Sequence, residues 1–401
     1  MLHNHTYQKN ENEPICGHSD ICSVCPWIDR PYEEQLQLKK NSLLHALQEN
    51  QLISDFLPDF EIKVLTAGPF HVRDRVDLVY DQGHWGFYNK DRSGVFSVVE
   101  CPLMSKDLFS FFQNLQKISI PIQKGSLRLR VAPPGNQESQ TLKKPGLWLD
   151  FANKDIQFLF EEKTTLHQLM KLAVVEIGQR RKKLEWTGER FRLLDPDPQP
   201  WTRTWVSENS KLTPLSLNST IGSFSQVGDQ ANQILIQELH HILQNIPEIS
   251  HQSWVEFGCG NGNLTLPLAA HAKQVQALEF DSLSLLGFEK TLLQPEMKSW
   301  QEKIQLKQGD FQKRQEINFT SYQGILVNPP RSGLKDFLKP LAEIAENQRP
   351  RNMIYMSCFL ESFILDARQI KSLGYHLQKI SIIDQFPQSP HFEMMSWWSQ
   401  I

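Results

Sequence analysis

Residues 254–269, WVEFGCGNGNLTLPLA, constrain the fold more than any other stretch. A short apolar run, Trp254 and Val255, ends in Glu256; glycines follow at 258, 260 and 262, and then an apolar segment able to start a helix. Glycine lets the backbone turn sharply and approach a ligand closely, the geometry that holds a nucleotide-like group beyond the carboxyl end of a parallel strand. Further on, QVQALEF ends a second strand on Glu279, a carboxylate able to accept from both ribose hydroxyls. The dinucleotide fingerprint would place a third glycine at 263, where this chain has Asn263. The spacing therefore favours S-adenosylmethionine (SAM), which has a ribose and no pyrophosphate, over a nicotinamide cofactor. An ordinary α/β turn is the plainer alternative.

Around this loop the chain alternates. Upstream, TPLSLNSTIGSFSQVGDQANQILIQEL offers a strand, a turn with Phe224 and Gln226, and a helix. Downstream, strands are expected near 274–280, 304–308, 324–328, 352–357, 376–384 and 392–398, with helical stretches between most of them. With the strand before the loop this is an α/β, doubly wound, Rossmann-like sheet of seven strands closed by an antiparallel pair.

The N-terminal half is different. Residues 1–15 are polar and expected to be disordered. Cys16, Cys22 and Cys25 then read C-x5-C-x2-C, and Cys101, followed by proline in VVECPLM, is the candidate fourth ligand. Four thiolates suit an iron–sulfur cluster or a structural zinc, and spacing alone does not choose between them. PYEEQLQLKKNSLLHALQENQL, 31–52, has Leu36, Leu43, Leu44 and Leu47 at helical spacing. HVRDRVDLVY, HWGFY and GVFSVVE look like strands, and Arg73, Arg75, Lys90 and Arg92 mark either a solvated sheet face or a phosphate-contacting one. SLRLRVAP and GLWLDFA are expected strands, and TTLHQLMKLAVVEIGQRRKKLEW an expected helix whose basic end is the most positive window of the chain. DPDPQPW, 195–201, is expected to break structure.

The 401 residues allow two or three domains with cores of their own. The N-terminus has no signal-peptide core and no apolar run is long enough to span a bilayer, so a cytoplasmic protein is expected, with no membrane partner. A net charge of −3 leaves room for nucleic acid only through a local basic patch.

Three segments at expected strand ends carry chemistry: NPPRSG with Asn328, MIYMSCFL with Cys358, and DQFPQSPHFEMM with Glu393. C5 of a pyrimidine is a poor nucleophile. A thiolate adding at C6 makes C5 enolate-like and able to attack a sulfonium methyl, and a base must then remove the C5 proton. Cys358 and Glu393 would supply the two roles.

These motifs together, C-x5-C-x2-C with ECP, FSQV, the glycine loop ending GNLTLPLA, ALEF, NPPRSG, YMSC and FPQSPHFE, resemble the RNA uracil-5-methyltransferase family, in particular its branch that carries an iron–sulfur cluster and methylates 23S ribosomal RNA. The similarity runs from Cys16 to the C-terminus apart from a divergent stretch at 150–210. It implies a [4Fe–4S] cluster on Cys16, Cys22, Cys25 and Cys101; SAM contacts at Gln226, Gly258, Asn263, Glu279, Asp310 and Asn328; Cys358 as nucleophile; and Glu393 as base. It implies a cluster-binding region at 16–105, a central α+β RNA-contacting region at 106–212 and a methyltransferase domain at 213–401, acting as a monomer on RNA. The chain departs from the family's pattern at Asn328, where aspartate is usual, at Gly228, where asparagine is usual, at Gly258, where phenylalanine is common, and at Phe359-Leu360, where Asn-Pro is usual. Two other readings stand beside this one. A 5-methylcytosine enzyme would be expected to carry a second cysteine near the proline motif, which NPPRSG lacks. A decayed, cluster-bearing RNA-binding protein would have no reason to keep both Cys358 and Glu393.

Overall fold

Alternation along β12 (Ser253–Phe257) sends Trp254 into one core and Val255 and Phe257 into another, as a parallel strand covered on both faces requires. The computed structural model describes residues 16–53, 61–133, 144–208, 211–309 and 317–400; the stretch expected to be disordered, 1–15, lies outside them. β12 pairs in parallel with β13 (Gln274–Glu279) and β15 (Gly324–Val327), β13 with β14 (Ile304–Gln308), and β15 with β16 (Asn352–Ser357). β18 (Glu393–Ser399) runs antiparallel between β16 and β17 (His376–Asp384).

Among the described residues the sheet has eight strands, not seven, in the order β1-β17-β18-β16-β15-β12-β13-β14. The additional β1 (Lys63–Thr66) comes from far upstream and pairs in parallel with β17, covering an edge that would otherwise expose unpaired amides. Four residues give too short an alternation to be read as a strand. α1 (Tyr32–Glu49) packs on this sheet too: Leu43 and Leu47 are buried in the same core as Phe363, Ala367 and Ile370 of α10 (Leu360–Ser372). On the opposite face α5 (Asp229–Gln244), α6 (Thr265–His271) and α7 (Ser282–Leu292) bury Leu235, Leu239, Leu266, Leu268 and Phe288. Two single-turn helices, α8 (Lys298–Gln301) and α9 (Lys339–Ala342), complete the layers.

A second eight-stranded sheet spans both sides of residue 105. It runs β4 (Val95–Ser97), β3 (His84–Tyr88), β2 (Arg75–Asp81), β5 (Lys124–Arg130), β6 (Gly146–Phe151), β7 (Val174–Ile177), β8 (Lys182–Trp186), β9 (Phe191–Leu194). α2 (Lys106–Leu115), α3 (Asn153–Glu161) and α4 (Lys163–Leu172) bury Leu108, Phe112, Leu166 and Leu169 against Leu127, Leu129, Leu147 and Leu149. The helix expected over TTLHQLMKLAVVEIGQRRKKLEW ends at Leu172. Its β-branched second half, with Val175 and Ile177 buried, is β7, and the basic window is the β8–β9 hairpin instead of a helix end.

The stretch DPDPQPW does not only break structure: it runs into β10 (Gln199–Glu208), which forms a long hairpin with β11 (Lys211–Ser219). Trp205, Val206 and Leu217 of the hairpin join the core over α5 and α6. Among the described residues no helix is long and apolar enough to cross a membrane.

Candidate active site

The glycine loop is knitted to the neighbouring strand end by its own acid. Gly258 and Cys259 donate their amides to Leu278 O at 2.9 and 3.0 Å. The Glu279 carboxylate accepts from the amides of Gly260, Phe280 and Asp281, each at 2.8 Å. Gly258 has φ +77°, and a Cβ there would lie 2.9 Å from Asn328 O; the residue that departs from the family's phenylalanine stands where a side chain is strained and crowded. Next to the loop the Glu256 carboxyl is pushed up to about 8 by burial, against a nearby Thr265 hydroxyl that lowers it, with the charge of Glu279 adding to the rise. It is therefore a neutral acid near neutral pH.

Gln226, Gly258, Asn263 and Asn328 line one cavity beside the loop. An adjoining cleft shares Gly258, Gly260 and Asn328 with it and adds Glu279, Phe280 and Pro329. Five of the six residues expected to contact SAM thus line one or both of these two cavities; Asp310 lies outside the described residues. Asn263 is already engaged, since its side-chain amide forms a reciprocal pair with that of Asn232 at 2.8 and 2.9 Å and fastens the loop to α5. The donor set suits SAM: a backbone cradle, amide side chains, a seated carboxylate at 279 and, next to it, Phe280 with its ring exposed.

The loop carrying Phe224 and Gln226 is held by the second sheet. Arg75 donates to Ser225 O at 2.6 Å, Arg128 to Gly222 O at 2.6 Å and Arg130 to Thr220 O at 3.0 Å. Arg130 is fully buried, and burial followed by the charge of Arg128 pulls Arg75 down to about 10. Arg75 is thus engaged in holding this loop while it also lines the cavity; the sequence reading could not see this because the carbonyl it grips lies 150 residues away.

Three neighbouring strands end together on the other side of Asn328. β15 leads into Asn328, Pro329, Pro330 and Arg331; β16 leads into Cys358; β18 begins at Glu393. Ser357 is paired with Met394 across β16 and β18, so the next step of the antiparallel register sets Cys358 against Glu393. The Cys358 thiol is raised by burial and then by the charge of Glu393, while Arg331, within hydrogen-bonding reach of the sulfur, lowers it. Glu393 is 8% exposed. Burial pushes its carboxyl up to about 7, against the opposing pull of Arg331. Arg331 had no role in the sequence reading: it sits in NPPRSG, and the strand order brings its charge within reach of both the thiol and the carboxyl.

The cysteine-bearing segment lies between the β3–β4 edge and the turn before β18. Cys22 bridges to Asn89, and Trp27 donates its amide to Gln388 O at 3.0 Å. All four cysteines are free thiols. Burial raises those of Cys22, Cys25 and Cys101, with Cys25 reaching about 12, and each of the three also feels the charge of Cys16. Arg73 opposes this at Cys25 and Cys101, and its buried Nε has no partner. Among the described residues no group of three or more His, Cys, Asp or Glu side chains is arranged to hold a metal ion. Four thiols in one electrostatic neighbourhood beside an unpartnered donor nonetheless make a donor set that fits a thiolate-bound cluster in its chemistry.

Residues 215–400 match the family model described as tRNA (uracil-5-)-methyltransferase. The chain is 38% identical over 392 residues to an uncharacterized RNA methyltransferase of Bdellovibrio bacteriovorus, covering 97% of this chain and 96% of that one. It is 25% identical over 408 residues to the 23S rRNA (uracil(1939)-C(5))-methyltransferase RlmD of a Shewanella species, covering 96% and 81%. In fold it is similar to the tRNA (uracil-54, C5)-methyltransferase of Pyrococcus abyssi in complex with S-adenosyl-L-homocysteine, with a TM-score of 0.64, 17% identity, and coverage of 94% of this chain and 84% of that one.

Proposed function

This chain belongs to the RNA uracil-5-methyltransferase family, and on that premise we propose that it methylates C5 of a uridine in RNA, using SAM, with Cys358 as nucleophile and Glu393 as base. The observation that carries the reading is the convergence of Cys358, Arg331 and Glu393 at three adjacent strand ends, with Arg331 directly following Pro330 of the cleft lining.

Cys358, made more acidic by Arg331, adds as thiolate to C6 of an everted uracil, and the C5=C6 electron pair moves onto C5 and the C4 carbonyl. Gln226, Gly258, Asn263, Glu279, Asn328 and, outside the described residues, Asp310 would hold SAM, which supplies an electrophilic methyl group to C5 when bound. The Glu393 carboxylate then takes the C5 proton; that electron pair restores C5=C6, the C6–S bond breaks, and sulfur leaves as thiolate. A raised carboxyl suits this base, because its basicity rises with its pKa while a useful fraction stays ionised near neutral pH.

Cys16, Cys22, Cys25 and Cys101 would hold a [4Fe–4S] cluster, a reading supported by the shared neighbourhood of the four thiols and the unpartnered Nε of Arg73. No chemical step runs through it. The substrate proposed is 23S ribosomal RNA, in keeping with the branch that the sequence resembles and with the similarity to RlmD, and the protein is proposed to act as a cytoplasmic monomer. Incubation with methyl-tritiated SAM and unmodified 23S RNA, followed by nucleoside analysis, tests the reading: labelled 5-methyluridine is expected from wild type and none from Cys358→Ala. Tight RNA binding without transfer, or labelled 5-methylcytosine, would replace it.

A further inference from the structure

The turn from Gln385 to Phe392 delivers Glu393, and its backbone is gripped by side chains of α1. Gln388 is a non-glycine residue with φ +66° and is 2% exposed, a backbone conformation that persists only where the surroundings fix it. The Gln35 amide does so from both ends: its Oε1 accepts from Gln388 N at 2.9 Å, and its Nε2 donates to Gln388 Oε1 at 2.8 Å. The same Nε2 lies 2.9 Å from Trp27 O, and Trp27 N donates to Gln388 O at 3.0 Å. One helical turn along, Lys39 donates to Asp384 Oδ1 at 2.8 Å and to Phe386 O at 3.0 Å, while Tyr32 donates to Asp384 Oδ2 at 2.7 Å. Gln35, Lys39 and Asp384 are all at most 1% exposed. A helix face normally apolar thus carries an amide and an ammonium into the core, the ammonium to the start of the turn that precedes the base and the amide to its middle.

We propose that Gln35 and Lys39 are positioning residues for Glu393, fixing where its carboxylate meets the C5 proton, and that Trp27 ties the cysteine-bearing segment into the same lock. The inference rests on the uridine methylation proposed above and concerns one step of it. When Glu393 takes the C5 proton, the C5–H pair becomes the C5=C6 bond and the C6–S bond breaks. A displaced carboxylate slows this step and leaves the earlier bond formation by Cys358 intact, so the methylated ring stays attached to sulfur.

The test is single-turnover reaction of the full-length protein with a 23S RNA transcript and methyl-tritiated SAM, separating label in free RNA from label in a denaturation-stable protein–RNA complex. Glu393→Gln is the reference for a missing base. Gln35→Leu removes both bonds of the amide lock; Gln388→Gly removes the side-chain bond and keeps the backbone one, and glycine adopts the left-handed backbone at 388 without strain, so the second variant covers misfolding of the first. Both are expected to accumulate the labelled complex as Glu393→Gln does, with release slowed between about tenfold and a hundredfold and adduct formation little changed. A merely structural role would lower adduct formation and release in parallel; that result, or no change in either, overturns the inference while leaving the methylation reading in place. Wild type that labels no RNA overturns both.

Discussion

Gly228 and Val72 meet where no side chain fits: a Cβ at 228 would lie 1.8 Å from the Val72 carbonyl oxygen. Gly228 begins α5, and its neighbours Asp74 and Asp229 are joined by a 2.8 Å bond from the Asp229 amide to the Asp74 carboxylate. The departure from the family's asparagine is therefore matched by this chain's own backbone approach. Gly228→Asn is expected to destabilise the protein by about 1–3 kcal/mol, since the clash is with backbone, and to weaken SAM binding because the adjoining Gln226 loop must shift. A thermal midpoint and a SAM titration check this; an unchanged midpoint with tighter SAM would contradict it.

The Glu393 carboxyl, held near 7, sets a pH profile. Only the carboxylate accepts the proton, so the rate of product release is expected to rise about tenfold per pH unit below 7 and to level above it. The sign for stability is opposite. Because folding raises this acid, its contribution is present at low pH and is lost as pH climbs from the ordinary carboxylate range through about 7. Glu393→Gln, which abolishes release, is thus expected to be more stable than wild type at pH 8 and equal to it at pH 4. Denaturant titrations at the two values decide it.

Arg331 lowers the Cys358 thiol against burial and against Glu393. Arg331→Gln is expected to slow adduct formation by about tenfold to a hundredfold at neutral pH and to move the pH dependence of that step upward. Iodoacetamide labelling of Cys358 as a function of pH measures the thiol directly. An unshifted titration would remove Arg331 from this role.

Much of the C-terminal half was legible because its strands are continuous apolar runs bounded by loops, as in GILV of β15 and MIYMS of β16. The cofactor loop was legible because glycine and acid recur at short range. What stayed hidden was whatever depends on distant partners. β1 and α1 join the methyltransferase sheet only because β17 and α10 offer an edge and a groove. Arg331, Arg75 and Gln35 read as ordinary polar residues until topology brings a thiol, a carbonyl or a turn to them. The helix expected across 164–186 failed because periodicity was carried past Leu172 into a β-branched run.

The cysteine cluster carries its own expectation. Protein purified without oxygen should contain iron and acid-labile sulfide and absorb in the charge-transfer region, and Cys25→Ser should lose both, with Trp27 and its bond to Gln388 destabilised alongside. Colourless protein loaded with zinc would replace the cluster by a structural metal.

In the proposed reaction one sulfur attacks the ring and one carboxylate releases it. RNA carrying 5-fluorouridine tests this most directly, because fluorine at C5 leaves no proton for Glu393 to remove. A stable, methylated RNA–protein adduct is expected, located by peptide mass spectrometry on Cys358. Methylation of ordinary RNA, with no adduct at Cys358 on the fluorinated substrate, would contradict it.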